Sequence, residues 1–450
     1  MNRFKQLWSI LRSSFWFLPS LMVVVSIVIA VVLIDTDSAG SDQWLARWPR
    51  LFGAGAQGAR DMMSTIAGSM MTVVGVTFSM ILVALVLASS QYTSRILRNF
   101  MRSRVTQVVL GIFVSVFSYC LIVLRTIRGG DEGAFVPSLA VFFGFVMALG
   151  GVGALMFFIH HIASSIQASS IIASVAQETI TVIDRLFPRT LGQGPVEDYD
   201  NQMQRSLSGW KWHIVTARES GYFQGVDDSA LLRVARDWKT IVRMERGIGE
   251  FVVENTALAS LALEDPPETT TIVDLQAAFS ISRHRTVEQD AAYGIRQIVD
   301  VALKALSPGI NDTTTAVMCV DYLTAILARI GPRQTPSSRR CEEGELRVIA
   351  KVPSFESLLA ESFDQIRSFA KGDVVIMSRM LDSIQTLAGL TAGPNRRQAL
   401  CDQMLWIAEL AGRTVDSPHD RARIEARLMR VRKALETGPA SCAGEENGIV

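Results

Sequence analysis

The sequence predicts an α-helical membrane domain of about four N-terminal spans, followed by a cytoplasmic α+β region made of a small β-barrel-like module and a mainly helical C-terminal part. Three observations carry this expectation. Four long runs without a charged side chain lie in the first third of the chain, arginines cluster purely on one side of those runs, and the remaining two thirds have the charge and periodicity of soluble protein. Over the whole chain 19% of residues are charged and mean hydropathy is +0.27, whereas soluble chains carry about 25% charged residues. The missing charge is missing locally, from the N-terminal third.

The expected membrane domain covers 1–165, with helices at about 15–34, 64–89, 105–124 and 136–159. A run of about 20 residues at 1.5 Å each reaches about 30 Å, the thickness of the hydrocarbon core. The first run is longer than the roughly 7–15-residue core of a signal peptide and ends in Val-Val-Leu-Ile-Asp, a poor cleavage sequence, so an uncleaved span is expected. Arg3, Lys5 and Arg12 precede it, and Arg95, Arg98, Arg102 and Arg104 separate the second and third runs with no acidic residue among them. The other two connections mix arginine with aspartate or glutamate. Purely basic segments mark the cytoplasmic side, so a multi-pass protein of a bacterial inner membrane with both termini inside is expected.

In the second run Thr65, Gly68, Thr72, Gly75 and Ser79 recur at alternating spacings of three and four, one stripe of a helix. Two readings stand side by side: close helix–helix packing, which small residues permit, and the lining of a polar pathway in a homo-oligomer. Gly144, Ala148 and Gly151 repeat the theme in the fourth run. Neither run holds an ionisable residue at mid-depth, the usual mark of ion-coupled transport, which speaks against a proton-coupled pump. His160 and His161 fall at the membrane boundary, as do Arg95 and Arg98. Imidazoles there either anchor at the interface or respond to pH.

A stalk helix is expected over 166–190, ended by Pro188. Over 205–265 short strands appear at 212–217, 221–226, 240–244, 250–253 and 258–263, punctuated by glycines and interrupted by a helical turn at 228–236. Their order resembles the barrel-sandwich folds of biotinyl and lipoyl domains, but no Met-Lys-Met-like carrier site is present, and Lys239 follows Trp238 outside the turn. A structural module is expected, with no cofactor. Residues 270–435 read as mainly helical, with segments at 272–278, 286–305 and 313–330, a polar loop at 334–345, one strand at 346–352 and helices to 435. The tail, 436–450, has the composition of a disordered end.

Within that region Ser307-Pro308-Gly309 is a turn signal, and Asn311 or Asp312 is placed to cap the next helix. The same helix start, rich in hydroxyls, is also the kind of place that holds an anion or a metal. Arg283, Asp290 and Arg296 cluster upstream. An electrostatic network joining them to Ser307, Asn311 and Asp312, with room for a small ligand, is the candidate cytoplasmic site.

The net charge of +1 argues against nucleic acid as a partner. Five scattered cysteines suit free thiols in a reducing compartment, and no zinc-binding spacing occurs. Nucleophile-elbow, P-loop, kinase, Rossmann and zinc-hydrolase patterns are absent, so no catalytic residue is proposed and no enzyme is expected.

Three segments then carry a resemblance: Ser89-Ser90-Gln91-Tyr92-Thr93-Ser94-Arg95-Ile96-Leu97-Arg98-Asn99-Phe100, Phe158-Ile159-His160-His161-Ile162-Ala163, and Ala305-Leu306-Ser307-Pro308-Gly309-Ile310-Asn311-Asp312. They resemble the hallmark segments of the bacterial predicted-membrane-protein family called domain of unknown function 2254, over roughly residues 5 to 435. The resemblance implies an inner-membrane location and this order of domains, and it implies no activity. The family commonly has proline where this chain has Thr313, which implies a looser turn here. The leading functional expectation is an oligomeric channel or transport-like protein gated by its cytoplasmic domain. The alternative is a membrane-anchored sensor or scaffold that binds a small molecule or a protein.

Overall fold

A computed structural model of the chain describes residues 16–38, 55–91, 104–129, 135–165, 167–186, 211–333, 338–342 and 345–437. The chain divides into two compact units at Ser170/Ile171. Expectations for Arg95, Arg98, the stretch 205–210 and the tail from 438 onward lie outside the described residues.

The first unit is built from α1 (Phe17–Ser38), α2 (Ala56–Gln91), α3 (Arg104–Thr126) and α4 (Ser138–Ser165). All four are long and apolar enough to cross a bilayer, and even the 22 residues of α1 reach about 33 Å. The third helix is the centre. Of its most apolar stretch 56% is buried, against 17–22% for the others, because α1, α2 and α4 all pack on it. Its Phe113, Val116, Tyr119, Cys120 and Val123 are fully buried.

Three polar side chains fasten the helix ends. The carboxylate of Asp37, at the end of α1, accepts from the backbone N–H of Leu139 (3.0 Å) and Ala140 (3.3 Å) at the start of α4. Those N–H groups have no partner within their own helix, so one helix caps another. Arg60 of α2 donates to Ile127 O (2.8 Å) just past α3. The buried Tyr119 hydroxyl donates to Ala140 O (2.8 Å).

The second unit begins with α5 (Ala168–Leu186), a helix separate from α4, where the sequence predicts one unbroken stalk. Among the described residues eight strands form two sheets. The five-stranded sheet has the order β1 (Trp212–Thr216), β5 (Ala257–Ala262), β3 (Val242–Met244), β8 (Glu345–Ile349), β7 (Arg339–Glu342), and the three-stranded sheet the order β4 (Phe251–Val252), β2 (Gly221–Val226), β6 (Phe279–Ser282). No closed barrel forms among the described residues. β3 does not turn back onto β2 or β4 but pairs in parallel with β8, about a hundred residues later in the chain. Helices α6 (Asp228–Asp237) and α7 (Thr269–Ala277) join the sheets around a core that includes Phe223, Leu231, Val242, Leu258, Leu261 and Leu275.

The rest is helical: α8 (Ala291–Ala305), α9 (Thr313–Ile330), α10 (Phe355–Phe369), α11 (Val374–Leu390), α12 (Pro394–Thr414) and α13 (Pro418–Glu436). α9 is a fifth helix long and apolar enough to span a membrane. Its Ala316, Cys319, Val320, Leu323 and Leu327 are buried, however, and α8, α10 and α11 pack against it. At the edge of the contact with α11, Asp321 pairs with Arg379. Protein therefore supplies its apolar surroundings. Cys120, Cys319 and Cys341 are free thiols, while Cys401 is disulfide-bonded, a departure from the free thiols expected throughout.

Candidate functional site

The stripe on α2 faces away from the other three apolar helices. Thr65, Gly68, Thr72, Gly75 and Ser79 are all exposed, and a Cβ added at Gly68 or Gly75 would meet nothing within 4 Å. The hydroxyls of Thr65 and Thr72 donate to carbonyls of their own helix, Asp61 O (2.7 Å) and Gly68 O (3.0 Å). α2 packs inward through another face instead, that of Ala59, Met63, Ala67, Met70, Ile81 and Ala84. The fourth helix behaves in the opposite way. A Cβ at Gly144 would lie 3.1 Å from Met63 and 3.2 Å from Tyr119, and one at Gly151 3.3 Å from Met70. Gly144 and Gly151 of α4 are therefore used for packing within the chain, whereas Gly150 and Gly153 of α4, like Gly68 and Gly75 of α2, are exposed with nothing within 4 Å of an added Cβ. His160 is exposed, and His161 stacks on Phe157 (centroids 6.0 Å) with Nε2 3.4 Å from Ser165 Oγ.

The predicted cytoplasmic cluster separates into two places. Asp290 caps α8 by accepting from Tyr293 N (2.9 Å), and its partner is Arg285 (2.7 Å), while Arg283 is exposed. The helix thus begins at Ala291 and not at 286, because Asp290 takes the capping position. Burial pushes the Asp290 carboxyl up, against the pull of Arg285. Arg296 points elsewhere, to Asp300 (2.9 Å) and Glu361 (3.4 Å). Ser307, Asn311 and Asp312 lie beyond the other end of α8, whose 15 residues set the two groups about 22 Å apart. The network from Asp290 to Asp312 does not form.

The capping reading of the downstream turn holds. Asp312 accepts from Thr315 N (3.0 Å), and its hydrogen bonds to Thr315 hold the carboxyl below its usual range. Asn311 takes φ +50° to turn the chain, a conformation asparagine tolerates. Thr313 explains itself where the family commonly has proline. Its hydroxyl donates to Asp373 Oδ2 (3.2 Å), while Oδ1 of the same carboxylate caps α11. The turn is thereby tied down and not loosened.

Beside Asp290 lies an open cleft of about 400 Å³, lined by Gln224, Asp227, Ser280, Thr286, Glu288 and Gln289 among others. Gln289 seals its floor by pairing like a strand, accepting from Val226 N (3.1 Å) and donating to Val226 O (3.3 Å). The named lining side chains include two acids and no base, so the cleft suits a neutral or cationic guest better than an anion. Among the described residues no group of three or more His, Cys, Asp or Glu side chains is placed to hold a metal.

Sequence reasoning missed the seam that fastens α5 to α8 and α9. Thr179 of α5 is fully buried against Gly294 of α8, so closely that a Cβ at Gly294 would fall 2.0 Å from Thr179 Oγ1. One turn further on, Asp184 receives both arms of Arg329 (2.8 and 2.9 Å) and is also bonded by Arg333. The Arg329 hydrogen bonds lead in drawing the Asp184 carboxyl down to about 2. A carboxyl lowered by folding stabilises the fold above its unfolded value near 4 and loses that contribution as pH falls towards 2. The urea midpoint of the wild type should therefore exceed that of Asp184→Asn at pH 6, and the gap should close between pH 4 and pH 2. A gap of constant size across that range would contradict this account of the seam.

With this geometry in view, a family model described as Predicted membrane protein (DUF2254) matches residues 12–386. The chain belongs to this family. The DUF2254 match takes in all four apolar helices, the stalk helix, both sheets and the helices through most of α11, and leaves α12 and α13 beyond it. Relatives described as uncharacterized proteins of Mycobacterium bovis and Mycobacterium tuberculosis are each 29% identical, over 97% of this chain and 83% of theirs. No solved structure matches. The DUF2254 assignment makes this a predicted membrane protein, and it brings neither a substrate nor a reaction.

Proposed function

We infer that this protein is a multi-pass protein of a bacterial inner membrane, with both termini cytoplasmic, that assembles as a homo-oligomer through the small-residue face of α2 and forms a gated channel there. One observation carries the reading: five small or hydroxylated residues in register on α2 are exposed and unused by the chain's own packing, while on α4 only Gly144 and Gly151 are taken up by internal contacts. A face with exposed backbone gains little from lipid tails and much from the close approach of another helix. The orientation rests on the arginine-only segments. The cytoplasmic unit supports gating because α5, which follows α4 after two residues, is locked to α8 and α9 by the Thr179–Gly294 contact and the Asp184 fork. No enzymatic step belongs to this reading.

The second reading, a membrane-anchored sensor or scaffold, is favoured by the cleft beside Asp290. Conductance and mass decide between them. Purified protein in detergent should run as an oligomer and conduct in planar bilayers. Gly75→Leu should shift it towards the monomer and abolish conductance, and Thr72→Val should alter conductance. Because nothing in the protomer lies within 4 Å of a Cβ at Gly75, the leucine should leave the protomer's fold intact. An oligomer without conductance would favour the anchor, and a wild-type monomer would remove the pore.

A further inference from the structure

Of the helices in the described residues, the last, α13, carries the highest net positive charge. Its 19 residues hold six arginines and lysines against three acids, a net +3 in a protein whose whole chain carries only +1. Its packing is narrow. Ile424, Val431 and Leu435 are its buried residues, and Arg427 reaches Asp382 (3.4 Å) at the edge of that contact. At 100° per residue the opposite side centres on Ala422, Ala426, Met429 and Lys433, with Arg423 and Arg430 along one margin and Arg421 and Arg432 along the other.

Two properties set this face apart from an ordinary solvated one. Arg430, Arg432 and Lys433 are exposed and make no ion pair among the described residues, although Arg423 is paired with Asp420. On this face Met429 is 66% exposed, an unbranched apolar side chain beside Ala426, and the exposed Glu425 and Glu436 lie between it and Arg432, so that five cations outnumber two acids there. A cationic helix with one flexible apolar residue at its middle and long arginines at its margins matches the interface of an anionic bilayer. There the guanidinium groups lie among phosphates while the thioether enters the acyl boundary. A chain that spans a membrane always has such a surface at hand.

We propose that the exposed face of α13 docks on the anionic headgroups of the lipid bilayer, Arg430, Arg432 and Lys433 pairing with phosphates around an inserted Met429. The proposal does not rest on the channel reading, and since a nanodisc presents both leaflets it does not depend on which side the helix occupies. Each basic residue near an anionic surface is worth about fivefold in association, so reversing two of them should remove docking altogether.

The test places a fluorophore at Met429→Cys in full-length protein carrying Cys341→Ser, which removes the exposed free thiol, reconstituted into nanodiscs that contain headgroup spin-labelled lipid. Strong quenching is expected in phosphatidylglycerol-rich discs. It should be weak in phosphatidylcholine alone, suppressed by high salt, and lost when Arg430→Glu and Lys433→Glu are combined. Arg413→Glu on α12, which removes an exposed arginine paired with Glu409, should leave quenching unchanged. Equal quenching in the two lipids, quenching in neither, or equal sensitivity to the Arg413 reversal would overturn the proposal. So would a label in phosphatidylcholine discs that responds to added acidic protein or nucleic acid and not to phosphatidylglycerol.

Discussion

Gly294→Ala should destabilise the second unit by about 1–3 kcal/mol, the range for forcing a methyl group into a closed contact. The cause is local and geometric. Thr179 is fully buried, its hydroxyl already donates to Val175 O (2.7 Å), and the new Cβ would lie 2.0 Å from that oxygen and 2.9 Å from the Thr179 Cβ. Rotation about χ1 leaves the Thr179 Cβ where it is, 2.9 Å from the added methyl, so α5 must lift from α8. Hydrogen exchange should rise in α5 before it rises in α11 or α12, since the opening begins at one seam. Thr179→Ala alone should cost little, because it removes the crowded oxygen, and combined with Gly294→Ala it should recover part of the loss. That coupling separates crowding from a mere fall in helix flexibility, which would make Gly294→Ala stabilising. A Gly294→Ala protein as stable as the wild type would show that α5 is not seated on α8 as described.

The four apolar helices were legible because a stretch both long and free of charge is a strong local signal, and they lie within a few residues of the expected ones except at the start of α2 and the end of α4. α2 begins at Ala56, eight residues early, since Arg60 is retained inside the helix by Ile127 O. Asp37 read as part of a polar outer segment because nothing in its neighbourhood announces a partner 102 residues away. Distance along the chain defeated the sheets in the same way. β6 and β7 were not foreseen, and β8 was foreseen only as a lone strand, because the pairing of Val242 with Val348 is invisible to local alternation. The stripe on α2 was legible as a stripe. Which way it faces was not, since that depends on which other face of α2 fits α3. The Arg283–Asp312 cluster failed for a simpler reason: residues close in sequence were set at opposite ends of one helix.

Arg397→Met should cost about 3–5 kcal/mol, the sum of losing charge-assisted hydrogen bonds and leaving buried carbonyls without donors. Arg397 is 7% exposed and donates to Ala388 O (3.2 Å) in the last turn of α11, and to Ala434 O (3.1 Å) and Leu435 O (2.9 Å) in the last turn of α13. Next to it, Arg396 donates to Ile330 O (3.4 Å), Gly331 O (2.9 Å) and Arg333 O (2.7 Å) around the end of α9. Two consecutive side chains at the start of α12 therefore close the C-termini of three helices, where free carbonyls and the negative dipole ends favour a cation. Methionine keeps the volume and the apolar stem and removes only the donors. Against a total stability of about 5–15 kcal/mol, this is a large fraction. Arg397→Lys should fall between the two. It keeps the charge, but a compact ammonium does not reproduce the planar fork that spans both helix ends. The thermal midpoint of the helical region should follow the order wild type, Arg397→Lys, Arg397→Met. A loss below about 1 kcal/mol for the methionine variant would mean that water satisfies those carbonyls and that Arg397 is a spectator. The same variant bears on the lipid-docking face: α13 released from Leu435 O onwards would no longer hold Arg430, Arg432 and Lys433 on one rigid surface, and lipid-dependent quenching at position 429 should weaken together with the fold.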